Sequence, residues 1–371
     1  MIYLTIFFIS YVCVLIGLNI RKKTLGKMIV LIGLLIPCIL AGVRNISVGT
    51  DTSGYVFNIY NIAISEQNII EYFKTVNDWY LIKDYLYLIC TYFIAHLDMI
   101  NAFQILLFVY QCLITFPLYF AIKNFNRNSA SIAGTTLVIN LFFYNMSLNM
   151  VRQMVAISFF LLSFSYFVNE KKNWKLSSIV CFLIAVGFHD TVVFALPIYY
   201  VYKLYSNNKI NGKSKSMITF IGAISMSFLV LFYRNVVTFI SNIGLYTKGY
   251  IYLQRFGQGI NINYLGTFIN VLLIVLIAKN KKLFKSNYKF GFFISVINLV
   301  LSILGFFITY ANRLSYYLLF LLLTMYIPFM FSNKKRDLPR MIIIILVFFI
   351  YWIWVYLVHN SGETFPYQIF L

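Results

Sequence analysis

The sequence predicts an all-α fold, a polytopic transmembrane helical bundle. Hydrophobic residues make up 61% of the 371-residue chain, and charged residues make up only 11%. Soluble globular chains contain about 25% charged residues, so this chain has too little charge to cover a water-exposed surface. Apolar runs close to the roughly 20 residues of a membrane-crossing helix recur along it. The composition therefore excludes an ordinary cytosolic enzyme, a disordered tail and a secreted disulfide scaffold.

The apolar runs predict about 12 membrane spans, and the number could range from about 11 to 14, given the usual length of a membrane-crossing helix. Ten strong runs cover residues 2–20, 28–43, 102–122, 129–148, 151–168, 217–240, 263–278, 290–309, 313–331 and 341–358. Two shorter runs, 176–188 and 190–204, meet at a GFHD sequence. The apolar segment 80–98 also carries Lys83, Asp84, His96 and Asp98, so its crossing is in question.

The net charge of +20 permits three explanations: nucleic acid, acidic lipid, or the positive bias of cytoplasmic loops. Six basic clusters lie at residues 21–27, 123–127, 171–175, 203–215, 279–289 and 334–340. All six fall on the cytoplasmic side if the N-terminus faces out and segment 80–98 is re-entrant or interfacial. This side then holds 22 of the 30 basic residues with two acids, whereas the outer side holds eight of each. The charge therefore specifies orientation, and no nucleic-acid partner is predicted. Segments 44–101 and 241–262 become the two large outer loops of a single membrane domain, 1–371.

The outer side is enriched in residues suited to anion chemistry. Five of its eight basic residues are arginine, against four of 22 inside, and all three histidines lie there. Arginine binds phosphate and carboxylate through a planar, bidentate fork. Chemistry is therefore expected on the outer side of the membrane.

Three places on this side are candidate sites. Arg44 precedes a Gly-Thr-Asp turn containing Asp51, and Arg152 with Gln153 begins an apolar helix whose N-terminus favours anions. His189 lies at the junction of two short helices, where it could act as a general base or donate a hydrogen bond to a sugar. The alternatives are snorkelling interfacial arginines and an ordinary helix cap with an interfacial polar histidine.

Three further candidate site residues have weaker support when each is considered alone. Arg313 lies at an outer turn, Arg255 lies in the tyrosine-rich loop 241–262, and Tyr367 lies in a C-terminal segment rich in apolar residues. The alternatives are an ordinary loop arginine for Arg313, an interfacial aromatic belt for loop 241–262 and a disordered tail for the C-terminal segment. The first outer loop contains no DxD or ExD pair, so no metal site is predicted.

Several short motifs follow one another over almost the whole chain. They are Arg44 with Val48-Gly49-Thr50-Asp51 and Tyr55, then Asn149-x-x-Arg152-Gln153-x-x-Ala156, Phe188-His189, Asn312-Arg313 and Pro366-Tyr367. In this combination they resemble the EpsG/Wzy-like family of bacterial polysaccharide polymerases, which act in O-antigen and exopolysaccharide pathways.

This resemblance implies a GT-C-like membrane glycosyltransferase in the bacterial inner membrane, with its active site facing the periplasm. Its substrate would be an undecaprenyl-diphosphate-linked oligosaccharide, its surroundings membrane lipid, and a chain-length regulator a candidate partner protein. No metal or other cofactor would be needed. Arg44, Arg152 and Arg313 would hold the diphosphate, with Gln153, Arg255, Tyr55 and Tyr367 as further binding residues, and His189 or Asp51 would take the acceptor proton.

Two other functions stay open at the level of sequence. A lipid-linked oligosaccharide flippase would need basic residues lining a cavity open to both sides, whereas these arginines gather near one interface. A related transferase, such as an O-antigen ligase, would differ in its acceptor. An O-acyltransferase would need a histidine deep in the membrane near a cytoplasmic donor, and the sequence has none there.

Overall fold

The computed structural model describes residues 2–97, 99–170, 173–207, 264–284, 287–306, 309–331 and 337–370, with isolated positions between 217 and 235. These residues form helices and connecting segments, with one isolated antiparallel bridge between Arg44 and Ile369. The prediction of an all-α polytopic membrane protein is confirmed.

The helices follow in this order: α1 (Ile2–Asn19), α2 (Lys23–Gly42), α3 (Phe57–Ser65), α4 (Ile69–Tyr80), α5 (Tyr85–Ala95), α6 (Ala102–Phe125), α7 (Ser129–Asn149), α8 (Val151–Asn169), α9 (Trp174–Phe188), α10 (Leu196–Ser206), α11 (Tyr264–Lys279), α12 (Lys281–Phe284), α13 (Tyr288–Leu304), α14 (Thr309–Met330) and α15 (Leu338–Trp352). A π-helical turn, Thr52–Val56, precedes α3, a 3-10 helix, Asp190–Ala195, precedes α10, and a π-helical segment, Ile353–Val358, extends α15.

Seven of the described helices are long and apolar enough to cross a membrane: α1, α2, α6, α7, α8, α14 and the extended α15. Each coincides with a predicted span. Four apolar helices are shorter, namely α5, α9, α11 and α13. The predicted span 217–240 lies almost entirely outside the described residues and loop 241–262 wholly outside them. The count of about 12 spans and the GT-C-like architecture therefore stay predictions.

In the described part of segment 80–98, α4 ends at Tyr80 and the one helix that follows is α5, which has 11 residues. At 1.5 Å per residue this helix is about 16 Å long, roughly half the thickness of a bilayer's hydrocarbon core. Its length fits a segment that does not cross alone. Whether it is re-entrant or interfacial stays a prediction.

The described chain divides into two compact units, Met1–Val193 with Leu323–Leu371, and Phe194–Leu322. In the first unit, α8 packs against α6 and α9, while α7 packs against α1 and α15. Among the described spans α7 is the most enclosed, with 94% of its apolar stretch buried. In the second unit, α13 packs against α10 and α11.

Helices α1 and α2 pair closely because glycines face each other near their connection. A Cβ atom on Gly17 would lie 2.7 Å from the Gly26 carbonyl oxygen, and one on Gly26 would lie 2.5 Å from the Gly17 oxygen. These separations are shorter than any real side-chain contact. Only glycine therefore permits this approach.

The C-terminal segment 359–370 lies across the loop that follows α2. Backbone N–H groups of Gly49 and Thr50 donate to the carbonyl oxygens of Glu363 and Gly362, each at 3.1 Å. The bridge between Arg44 and Ile369 continues this pairing. Main-chain hydrogen bonds thus join the C-terminal segment to the loop that follows α2, and we call residues 359–370 the C-terminal strap.

Candidate functional site

Arg152 is the second residue of α8. Helix α7 ends at Asn149, and Met150 (φ −79°, ψ 52°) leaves helical geometry before α8 begins at Val151. The break creates a new helix N-terminus at Val151 and Arg152, and the first N–H groups of a helix have no intrahelical acceptor. Both the N–H groups and the arginine favour an anion here.

The Arg152 guanidinium forms an ion pair with Asp84. Its Nη1 donates to Asp84 Oδ2, and the arginine and aspartate side chains are 18% and 6% exposed. Asp84 lies in the connection between α4 and α5, 68 residues earlier in the chain. The sequence alone does not predict Asp84 as a site residue. A carboxylate at this depth is stable only because a cation accompanies it.

His189 approaches the same carboxylate oxygen. Helix α9 ends at Phe188, and the extended backbone of His189 (φ −163°, ψ 119°) separates it from the following 3-10 helix. Its Nδ1 lies 3.3 Å from Asp84 Oδ2, and the side chain is 12% exposed. One carboxylate therefore holds two of the predicted site residues, Arg152 and His189.

Two aromatic rings flank the arginine. The guanidinium carbon of Arg152 lies 5.0 Å from the centre of the Tyr55 ring and 5.6 Å from that of Tyr87. Tyr55 belongs to the π-helical turn Thr52–Val56 that precedes α3, and Tyr87 belongs to the first turn of α5. Both distances are within cation–π range. We call Tyr55, Asp84, Tyr87, Arg152 and His189 the Asp84 cluster.

The charge state of Asp84 follows from competing effects. Burial raises the pKa of its carboxyl, but the hydrogen bond from His189 and the charge of Arg152 outweigh burial. The net result is a pKa below the usual value. Asp84 is therefore ionised at neutral pH.

Asp84, His189 and Asp190 could also supply three ligands to a metal ion, since their ligand atoms all lie within 4.8 Å of one another. Carboxylate oxygens and imidazole nitrogen are suitable donors. However, Asp84 Oδ2 already pairs with the Arg152 guanidinium, whose positive charge repels a cation. The donor set fits poorly, and the absence of a metal requirement stays a prediction.

Arg44 has a different environment from Arg152. It is 2% exposed, and its Nη2 donates to Thr52 Oγ1 and the Leu148 carbonyl oxygen, each at 3.1 Å. Burial lowers the pKa of Arg44 to about 10, against the opposing influence of nearby tyrosine hydroxyls, those of Tyr144, Tyr3 and Tyr367. The guanidinium thus joins the first loop to the C-terminal end of α7, and its role in diphosphate binding stays a prediction.

The loop containing Asp51 is anchored by Asn149. The amide oxygen of Asn149 accepts hydrogen bonds from Thr50 Oγ1 at 3.2 Å and from the Asp51 backbone N–H at 3.3 Å. Its amide nitrogen donates to the Gly362 carbonyl oxygen at 3.1 Å. Asn149, three residues before Arg152, therefore fixes both the loop and the C-terminal strap.

The remaining predicted residues lie in several places. Gln153 is 4% exposed on α8, beside Arg152 in sequence, and the Tyr367 hydroxyl donates to the Leu40 carbonyl oxygen. Arg313 lies on α14 in the second unit. Arg255 lies outside the described residues. The structure thus brings together Tyr55, Arg152 and His189, and it adds Asp84 and Tyr87.

The described fold and the Asp84 cluster define a multi-pass membrane protein with a charged site where a membrane helix begins. A family model described as the EpsG family matches residues 27–369, and the chain belongs to that family. This family consists of glycosyltransferase-like proteins of the polysaccharide polymerase type, so the predicted resemblance is confirmed. No curated protein and no solved structure matches the chain.

Proposed function

We propose that the chain polymerises polysaccharide repeat units carried on undecaprenyl diphosphate at the periplasmic face of the bacterial inner membrane. The growing glycan is transferred from its lipid carrier to the non-reducing end of a new lipid-linked unit. Membership of the EpsG family supports the polymerase class. The Asp84 cluster supports the chemistry, because it combines an anion-binding group with a candidate base.

The observation that carries this proposal is the convergence of Arg152 and His189 on one buried carboxylate. Transfer from a diphosphate requires a cation where negative charge develops and a base for the acceptor hydroxyl. The buried Nε of Arg152 has no hydrogen-bond partner among the described residues, so Asp84 does not satisfy the whole guanidinium. The helix N-terminus of α8 adds further N–H groups beside it.

In the proposed reaction, an acceptor hydroxyl oxygen attacks the anomeric carbon of the donor glycan. The bond between that carbon and the diphosphate oxygen breaks, and undecaprenyl diphosphate leaves with the electron pair. The hydroxyl proton passes to His189. Arg152 stabilises the oxygen that gains negative charge, so its contribution is greatest in the transition state.

The first test is a gel of surface polysaccharide from a deletion strain complemented with variants. We expect the deletion to leave a one-unit band without a ladder of longer chains, and Arg152→Ala to give the same pattern. Loss of the arginine charge should lower the polymerisation rate about 100-fold or more, as for removal of one transition-state donor. Loss of even the one-unit band on deletion would instead indicate a flippase.

A matched control is Arg340→Ala. Arg340 also pairs with a carboxylate, Asp337, at 3.2 Å, but it lies at the start of α15 among residues predicted to face the cytoplasm. We expect this variant to give a normal ladder. Normal long chains in Arg152→Ala would remove the basis for diphosphate binding at the Asp84 cluster.

A further inference from the structure

We propose that Asp84 is a positioning residue that holds His189 in the tautomer protonated on Nδ1, leaving the lone pair of Nε2 to accept a proton. The tautomer is a property of the fold alone, whereas its use in glycan transfer depends on the proposed function. Asp84 does not itself contact the reacting atoms in this account. Its effect on the reaction passes through His189.

Hydrogen-bond chemistry requires this assignment. Arg152 Nη1 and His189 Nδ1 both address the same atom, Asp84 Oδ2. Arginine can only donate, and an ionised carboxylate oxygen can only accept. Since Oδ2 accepts from Arg152, the 3.3 Å contact with Nδ1 is a hydrogen bond only if Nδ1 carries a proton. A neutral His189 then has its free lone pair on Nε2.

The main chain and the ring of His189 have different hydrogen-bond partners, and the partner of the ring is Asp84. The His189 backbone N–H donates to the Ala185 carbonyl oxygen at 3.0 Å, and its own carbonyl oxygen accepts from Val192 at 3.3 Å. The main chain of His189 is thus fixed on both sides, while its side chain is partly exposed and contacts Asp84. Asp84 is held in turn by Arg152, so the three residues restrain one another.

The same arrangement accommodates the proton after transfer. When the acceptor hydroxyl gives its proton to Nε2, His189 becomes positively charged, and Asp84 lies against the opposite side of the ring. A carboxylate in this position stabilises the imidazolium as it forms. The proton leaves to water after the product departs, which restores the neutral ring.

Asp190 provides a matched control for the charge of Asp84. Its carboxylate belongs to the same group of ligand atoms within 4.8 Å, but Asp190 is exposed whereas Asp84 is buried. Asp84→Asn and Asp190→Asn remove the same charge from nearly the same place. Only the first removes the carboxylate that we assign to the tautomer.

The first measurement is nitrogen NMR of the full chain labelled with ¹⁵N-histidine in lipid bilayers. The chain has only three histidines, so a His189→Gln variant identifies the signal. We expect neutral His189 to carry its proton on Nδ1, and Asp84→Asn to shift at least half of the population to Nε2–H. Asp190→Asn should leave the wild-type tautomer. A wild-type proton on Nε2, or a tautomer unaffected by Asp84→Asn, overturns the proposal whatever the activity.

The second measurement is polymerisation by the purified chain, with lipid-linked repeat units extracted from the deletion strain as substrate. We expect Asp84→Asn to lower kcat about 100-fold with the donor KM within about threefold, since misplaced catalytic groups cost about this factor. In a His189→Ala background the same change should lower kcat less than about threefold. Asp190→Asn should retain activity within about threefold.

The outcomes separate the two proposals. An inactive wild-type chain overturns the polymerase function, while the tautomer measurement still decides the role of Asp84. With an active wild type, three results each overturn the positioning role. These are unimpaired kcat in Asp84→Asn, a change confined to KM, and an equally large loss in the His189→Ala background.

Discussion

Two arginines of the first unit carry their charge in different ways. Arg152 has a carboxylate partner and two aromatic rings, whereas Arg44 donates to neutral oxygens of the loop and of α7. Neutral partners at fixed positions suit an arginine that ties segments together. A carboxylate partner that shares its oxygen with a histidine suits one that takes part in chemistry.

The ion pair predicts how stability depends on pH. The pKa of Asp84 is lower in the folded chain than its usual value, so the folded state binds fewer protons than the unfolded state as the pH falls through that range. The stabilisation is therefore complete above about pH 4, the ordinary value for aspartate, and is lost as the pH falls through the folded pKa. Asp84→Asn should lower stability by about 2 kcal/mol at pH 7, with a smaller deficit below pH 4.

Thermal unfolding of the wild type and of Asp84→Asn in one detergent, from about pH 7 to pH 3, measures this difference. Asp337→Asn is the control, since it removes the carboxylate of an i,i+3 pair with Arg340. Such a local helix pair contributes about 0.5 kcal/mol or less. A deficit in Asp84→Asn that stays constant to pH 3 would contradict the assignment of an ionised, paired Asp84.

At the scale of elements, the C-terminal strap depends on one glycine. Gly362 has φ +75°, and a Cβ atom there would lie 2.0 Å from the amide nitrogen of Asn149. The carbonyl oxygen of Gly362 accepts from both Thr50 N and Asn149 Nδ2. Alanine at this position is therefore strained in its backbone and displaces the asparagine that anchors the first loop.

Gly362→Ala should lower the free energy of unfolding by about 1–3 kcal/mol and speed hydrogen exchange in segment 45–52. Gly54→Ala is the control, because a Cβ atom on Gly54 meets nothing within 4 Å. Thermal unfolding and hydrogen exchange of both variants in detergent would check this. Unchanged exchange in segment 45–52 of Gly362→Ala would show that the strap does not restrain the loop.

The spans were predictable because hydrophobic runs and basic clusters are local features. The predicted runs 129–148 and 151–168 correspond to α7 and α8. The polar residues Asn149 and Arg152 interrupt the apolar sequence at the break between these helices. Local surroundings of the same kind predict the site residues Tyr55, Arg152 and His189 one by one. Nothing in their spacing along the chain shows that they meet.

Asp84 could not be found in this way, because its partners lie 68 and 105 residues further along the chain. A contact at that separation leaves no periodic pattern. One signal was available: Asp84 is one of only 10 acidic residues, and it immediately precedes an apolar helix. An ionised group entering an apolar segment needs a partner, which makes such a carboxylate a candidate site residue.

At the scale of the whole molecule, the ion pair constrains the topology. Asp84 and Arg152 must lie on the same side of the membrane, so the chain crosses an even number of times between them. Spans α6 and α7 supply two crossings. A third crossing by α5 would put Arg152 on the opposite side from Asp84. The ion pair therefore supports the charge argument that segment 80–98 does not cross.

The ion pair between Asp84 and Arg152 predicts that Lys123 lies on the cytoplasmic side of the membrane. Three exposed residues are replaced one at a time by cysteine: Glu71 in the first large loop, Lys22 in the basic cluster 21–27 and Lys123 in the last turn of α6. A membrane-impermeant maleimide should label Glu71→Cys in intact cells, but Lys22→Cys and Lys123→Cys only after permeabilisation. The wild type, whose five cysteines lie in apolar segments, gives the background.

Labelling of Lys123→Cys in intact cells, with Lys22→Cys protected, would mean that segment 80–98 crosses the membrane. Asp84 and Arg152 would then lie on opposite sides of the membrane, which is incompatible with the Asp84 cluster.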